Sequence, residues 1–241
     1  MRRLREAVDS KAYLMAGTSA GKVAPWNRRD RGVKKPYPPR SFSEVALWAR
    51  EGLDYAIALR PMGTRIAVLA IHGGGIESGT SEVAKTIAGQ VFSLYCFEGL
   101  KERGNHLLRV TSTRFDEPSG IRLAEDANVI VSIHACRDLR SLVYVGGLHQ
   151  PLKERLLEAL MRAGFPAQED DTIHSGSDPR NICNRGRSSR GVQLELSVGL
   201  RRRLFEGLSA SRRRKVTLLF PRFTKAIVGV LVGFEGESAS P

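Results

Sequence analysis

Residues 66–71, IAVLAI, are six apolar residues in a row between Arg65 and His72. A strand with one solvated face alternates apolar and polar residues, so an unbroken run marks a strand buried on both faces. Such a strand needs packed layers above and below it. That points to a layered α/β domain. The flanking segments agree. SFSEVALWAREG, from Ser41, reads as a helix capped by Ser43 with Gly52 beyond its end. A helix opens at Thr80 or Ser81 and runs through about Gly89 or beyond. HLLRVTS (106–112) reads as a strand, IRLAEDA as a helical piece, VIVSIHA (129–135) as a strand and LVYVGG as another. PLKERLLEALMRAGF is an amphipathic helix with Pro151 near its start and Gly164 at its end. GVQLELS (191–197) alternates strictly, and the stretch from about 213 is apolar enough to pack as a last helix or strand. Strands alternating with helices predict a single α/β domain with a mostly parallel or mixed central sheet flanked by helices.

The 241 residues carry a formal net charge of +13. Residues 1–40 hold eleven Lys or Arg against Glu6, Asp9 and Asp30, which places +8 of that charge in a basic, proline-containing stretch. This stretch is expected to be a flexible extension, with the domain spanning 41–241. GTSAGKV (17–23) falls short of a phosphate loop, because it has one residue too few between its glycines and Val23 where Ser or Thr is needed. A basic surface suits a polyanionic partner. Cys96, Cys136 and Cys183 are widely separated and form no CxxC pair, so a zinc ribbon or disulfide framework is not indicated. With no apolar segment behind the basic start and no apolar run of membrane-spanning length, the expected setting is cytoplasmic.

The chemistry-bearing residues fall at strand ends, where α/β sheets bind ligands. His72 ends the first apolar strand, and IHGGGIESGTSE (71–82) follows with three glycines and Glu77. His134 ends VIVSIHA. Glu195 shares a strand face with Gln193 and Ser197, opposite Val192, Leu194 and Leu196. Two histidines and a carboxylate with an open position form a catalytic zinc set. Glycines can fold the loop back so that His72 and Glu77 meet one metal with His134. The plainer alternatives stay open: a simple strand-to-helix turn at 73–75, Glu77 favouring the next helix, a core histidine at 134, and Glu195 paired with Arg185, Arg187 or Arg190.

HGGGIESGTSE, TSTRFDEP, VSIHAC, VYVGGL, NICNRG and GVQLELSVGLR occur in this order between about residues 41 and 208. Together they closely resemble the phage-type poly-γ-glutamate hydrolase family, whose members are often labelled phage-related replication proteins. The resemblance implies a zinc-carboxypeptidase-like fold, one zinc per chain on His72, Glu77 and His134, and Glu195 as catalytic base. It implies hydrolysis of γ-glutamyl amide bonds in poly-γ-glutamate or a related acidic peptide, and release by host lysis if the protein is phage-encoded. Arg185 is then expected to steady the oxyanion, with Arg190, Asn181 and Asn184 binding substrate. Asp116 and Glu117 are expected to orient a ligand histidine, with an N-cap at Asp116 as the structural alternative. The competing class is a nucleic-acid-binding protein that uses the basic tail and the arginine clusters at 201–203 and 212–214.

Overall fold

The computed structural model describes residues 38–170, 175–213 and 215–237. The readings placed on residues 1–37, including the loop at 17–23, lie outside the described residues. The apolar run becomes β2 (Ile66–Gly74), buried at every position. Its neighbours are β3 (Ser93–Gly99) on one side and β4 (Val129–Ala135) on the other, both parallel to it. Beyond β4 lies β7 (Val192–Leu196), also parallel. These four strands form the centre of a seven-stranded mixed sheet. Antiparallel β1 (Tyr55–Arg60) borders β3. At the other edge β5 (Val143–Gly146) runs antiparallel to β7 and is followed by β6 (Ala167–Glu169).

The two faces of β2 answer to two apolar clusters. Ile66, Val68 and Ala70 pack under α2 (Thr80–Ala88), α4 (Gln150–Arg162) and α6 (Leu219–Gly236), with Phe92, Phe165 and Phe223 among the buried aromatics. Ala67, Leu69 and Ile71 pack against α3 (Pro118–Asp126), α1 (Phe42–Ala46), Phe97 and Phe115. The segment from about 213 therefore provides a helix, α6, whose Phe223, Ile227 and Leu231 are fully buried. Among the described residues, no helix is long and apolar enough to cross a membrane.

Several local expectations change. Ser41, not Ser43, caps α1 by accepting from Glu44 N. Residues 106–112 form no strand: Asn105–Leu108 is a 3-10 turn entered through Gly104 at φ 81, with Asn105 bonded to Lys101 N (3.0 Å). The missing sheet partner of β2 is SLYCFEG, whose apolar residues follow α2 so closely that they read as its continuation. Asp116 does not cap α3. Glu117 does, accepting from Ser119 N and Gly120 N. Asp116 accepts from Phe42 N instead and ties α1 to the domain.

The chain leaves β2 toward β3 and returns to β4 on the opposite side of β2. The sheet thus reverses its winding between β2 and β4, the position at which α/β sheets place ligands beyond the carboxyl ends of their strands.

Candidate metal centre

Strict alternation would put His72 on the face of Val68 and Ala70, away from His134. The register between β2 and β3 shifts by one residue between Ala70 and Gly73. This bulge re-aims the end of the strand, and His72 Nδ1 comes to 3.1 Å from His134 Nδ1. The turn is closed by Glu77 N donating to His72 O (2.8 Å). Glu77 Oε1 then lies 3.0 Å from His72 Nδ1, and Glu77 Oε2 lies 3.5 Å from His134 Nδ1.

The glycines have individual reasons. A Cβ on Gly73 would stand 2.1 Å from Ser81 Oγ, and one on Gly75 would stand 2.3 Å from Asn105 Nδ2. Gly74 adopts φ +63, and its Cβ would lie 2.5 Å from Gly99 O. The triplet serves close approach of the loop to β3 and α2 at least as much as it serves the turn.

The protonation pattern follows from the outer contacts. His72 Nε2 faces Val110 O at 2.7 Å. A carbonyl only accepts, so Nε2 carries the proton and Nδ1 keeps its lone pair. His134 Nε2 is held by Ser132 Oγ at 2.8 Å. Two imidazole Nδ1 atoms and a carboxylate therefore converge in a buried place, and His134 Nδ1 is open to a cation when Ser132 Oγ accepts from Nε2–H. Zinc bonds of about 2.0–2.1 Å in a tetrahedron set ligand atoms roughly 3.3 Å apart. The two Nδ1 atoms stand 3.1 Å apart, close to that spacing, and one ligand atom from each residue lies within 4.8 Å of the others, so His72, Glu77 and His134 could hold a metal ion.

Burial pushes the Glu77 carboxyl up, but the facing histidines outweigh it and hold the group well below the ordinary carboxylate range. Ala135 N and Arg109 Nε donate to it at 3.0 and 2.9 Å. Burial lowers His134, which keeps the imidazole neutral. Glu195 is the Cα partner of His134 across β4 and β7 and is 6% exposed. Burial, then the charge of Glu77, raises its carboxyl well above the ordinary range.

A poly-γ-glutamate hydrolase family model matches residues 40–226. The chain belongs to the poly-γ-glutamate hydrolase family. The family's relatives include the UPF0714 protein YndL of Bacillus subtilis (strain 168), 40% identical over 166 residues, or 68% of this chain and 65% of YndL. The chain thus spans just under two thirds of that relative's length. A solved bacteriophage poly-γ-glutamate hydrolase superposes with a TM-score of 0.80 at 32% identity, covering 83% of this chain and 98% of the other. A zinc-free apo form of YndL superposes with a TM-score of 0.76 at 36% identity, covering 80% and 96%. The chain shares the α/β fold of these family members.

Within that family frame, the remaining expected residues separate. Arg185 Nη1 donates to Phe115 O (3.0 Å), and its other arm faces Glu125 (3.6 Å), so its guanidinium anchors the α3 flank. Arg190 is exposed on a turn where Ser188 Oγ donates to its carbonyl (2.8 Å). Asn184 is engaged wholly by backbone: it donates to Gly176 O and Asp178 O and accepts from Gly191 N and Leu148 N. Asp116 and Glu117 hold α1 and α3 rather than a histidine. The contacts that orient the histidines come from Val110 O and Ser132.

Two arginines were missed as site residues. Arg109 lay in a segment read as a strand, and its Nε meets Glu77. Arg201 lay in a cluster read as a candidate nucleic-acid contact, yet it is buried and ties Leu196 O, Ser78 O and Cys136 O together. Of the second cluster, Arg213 is paired with Glu82 (2.7 Å).

Proposed function

We propose that this chain is a zinc-dependent hydrolase that cuts γ-glutamyl amide bonds of poly-γ-glutamate or a related acidic peptide. The observation that carries the reading is the convergence of His72 Nδ1, His134 Nδ1 and the Glu77 carboxylate one strand from buried Glu195, in a member of this family. When bound there, zinc polarises the scissile carbonyl and activates water. His72, Glu77 and His134 would hold it, with Val110 O and Ser132 fixing the two rings so that Nδ1 faces inward.

Glu195 takes the proton of the attacking water and delivers it to the leaving amine. A carboxyl raised well above the ordinary carboxylate range by burial can hold the proton between the two transfers. Arg109 supplies the positive group. Its Nε is fixed by Glu77, and its side chain is 40% exposed, which leaves a fork for the oxyanion or a substrate carboxylate. The polyglutamate backbone presents one α-carboxylate per residue, so a cationic rim favours it over neutral peptides.

The test incubates zinc-loaded protein and its Glu195→Gln variant with poly-γ-glutamate, α-linked polyglutamate and γ-glutamyl oligomers, following chain length by gel and new amines by labelling. Scission of the γ-linked polymer by the parent is expected, with a loss of roughly 10²–10⁴-fold in the variant. Equal cutting by both proteins would remove Glu195 from the chemistry, and no cutting of any γ-linked chain would remove the substrate assignment.

A further inference from the structure

The face of β7 that carries Glu195 also carries Gln193, two residues earlier and 4% exposed. Gln193 Nε2 lies 3.2 Å from Glu195 Oε1. On its other side Gln193 Oε1 accepts from Asn181 Nδ2 at 3.0 Å. Asn181 Oδ1 in turn accepts from the backbone N–H of Cys183 at 3.1 Å. Three buried polar groups therefore run in one line, from a backbone amide to the carboxylate.

The direction of that line is set at its far end. A backbone N–H can only donate, so the Asn181 atom facing Cys183 is its oxygen. The Asn181 amide nitrogen must then face Gln193, which fixes Gln193 Oε1 as the acceptor. Gln193 is left with only N–H groups to offer Glu195. The chain has no second arrangement unless the Cys183 bond is broken. Packing removes the remaining freedom. Gly176, at φ +65, lies so close that a Cβ there would stand 3.0 Å from Gln193 Cβ and 3.2 Å from Gln193 Cδ. Gly176 is itself held by Asn184 Nδ2 donating to its carbonyl at 2.7 Å.

We propose that Asn181 and Gln193 are positioning residues: together they hold Glu195 by Oε1 in one rotamer and leave Oε2 for the proton transfers. The proposal rests on the hydrolase reading above and assigns Asn181 an orienting role in place of substrate contact. A carboxylate tethered at one oxygen loses little freedom on reaching the transition state. An untethered one in the same cavity must be ordered in each turnover.

Two substitutions separate this role from simple packing. Gln193→Met keeps the length and removes the donor. Asn181→Asp keeps the shape and reverses the line: an aspartate only accepts, so Gln193 must turn its Nε2 toward residue 181 and its Oε1 toward Glu195. Acceptor then faces acceptor, and the carboxylate is driven out of place.

Zinc content, unfolding temperature, kcat and KM are measured on each zinc-loaded protein. Both variants should retain zinc, with kcat lower by about ten- to a hundredfold, as for lost orienting partners, and KM within about twofold. Asn181→Asp should fall at least as far as Gln193→Met although it disturbs packing less. If Gln193→Met fails to fold, the isosteric Asn181→Asp decides alone. A kcat per zinc-loaded molecule equal to the parent's in Asn181→Asp overturns the proposal.

A second readout needs no turnover. In ¹⁵N-labelled protein one Gln193 side-chain proton should be shifted downfield and protected from exchange, and Glu195→Ala should abolish the shift. An unchanged Gln193 resonance in Glu195→Ala also overturns it. If the parent cuts no γ-linked chain, the hydrolase reading fails while this resonance still decides whether the line reaches Glu195.

Discussion

Gly74→Ala tests why three glycines separate His72 from Glu77. A left-handed φ of +63 costs a residue with a Cβ about 1 kcal/mol. The added methyl would lie 2.5 Å from Gly99 O, 2.8 Å from Gly99 N and 3.1 Å from Glu98 C. All three are backbone atoms, so no rotamer change relieves the contact. Relief requires parting the ends of β2 and β3, where Gly74 pairs with Gly99 and Gly75 N donates to Gly99 O (2.9 Å). That hydrogen bond contributes about 1 kcal/mol, and the residual clash adds a similar amount. The expected loss is about 3 kcal/mol, which lowers the melting temperature of a domain this size by roughly 6–12 °C. The movement also displaces the Glu77 carboxylate through the His72–Glu77 turn, so zinc affinity should fall by at least about tenfold. Gly63→Ala is the control: its φ is +68, but a Cβ there meets nothing within 4 Å. It should therefore cost only the conformational part, about 1 kcal/mol. Urea unfolding and zinc titration of both variants give the comparison. Equal destabilisation, with zinc affinity untouched in Gly74→Ala, would refute the close-approach argument.

His134→Ala should drop zinc content from near one per chain to a small fraction, read by metal analysis of purified protein; unchanged content would take His134 out of the ligand set. Chelation should abolish polymer cleavage and re-addition of zinc should restore it, whereas activity surviving exhaustive chelation would contradict a metal-dependent reaction. Phe223→Ala empties a fully buried site where α6 meets Phe165 (ring centroids 5.1 Å apart), so a loss of about 3–5 kcal/mol is expected in urea unfolding; a loss under about 1 kcal/mol would show that α6 is dispensable to the core. Deleting residues 1–37 should leave the unfolding midpoint nearly unchanged and weaken retention on a polyanionic resin at low salt; a large fall in the midpoint would show that the segment packs as part of the domain.

The unbroken apolar run 66–71, short and bounded by Arg65 and His72, pointed to a strand covered on both faces. Alternation in GVQLELS put Gln193 and Glu195 on one face, and it could have identified Gln193 as the neighbour of Glu195. The residue types His72, Glu77 and His134 behind strand-forming segments were legible for the same reason: the ends of a parallel sheet are where side chains leave the ladder together. Tertiary structure alone decided the rest. The one-residue bulge that brings His72 to His134 depends on the pairing of β2 with β3, a strand the local pattern hid behind α2. Arg109 and Val110 O reach the centre, and Arg201 ties the carbonyls of Leu196, Ser78 and Cys136, through contacts between segments far apart in the chain, which residue type does not reveal. An arginine looks alike in sequence whether it meets solvent, as at position 190, a backbone carbonyl, as at 185, or a buried carboxylate, as at 109. Which environment it meets is set by how the loops close over the sheet, and that is a property of packing over the whole domain rather than of any stretch of it.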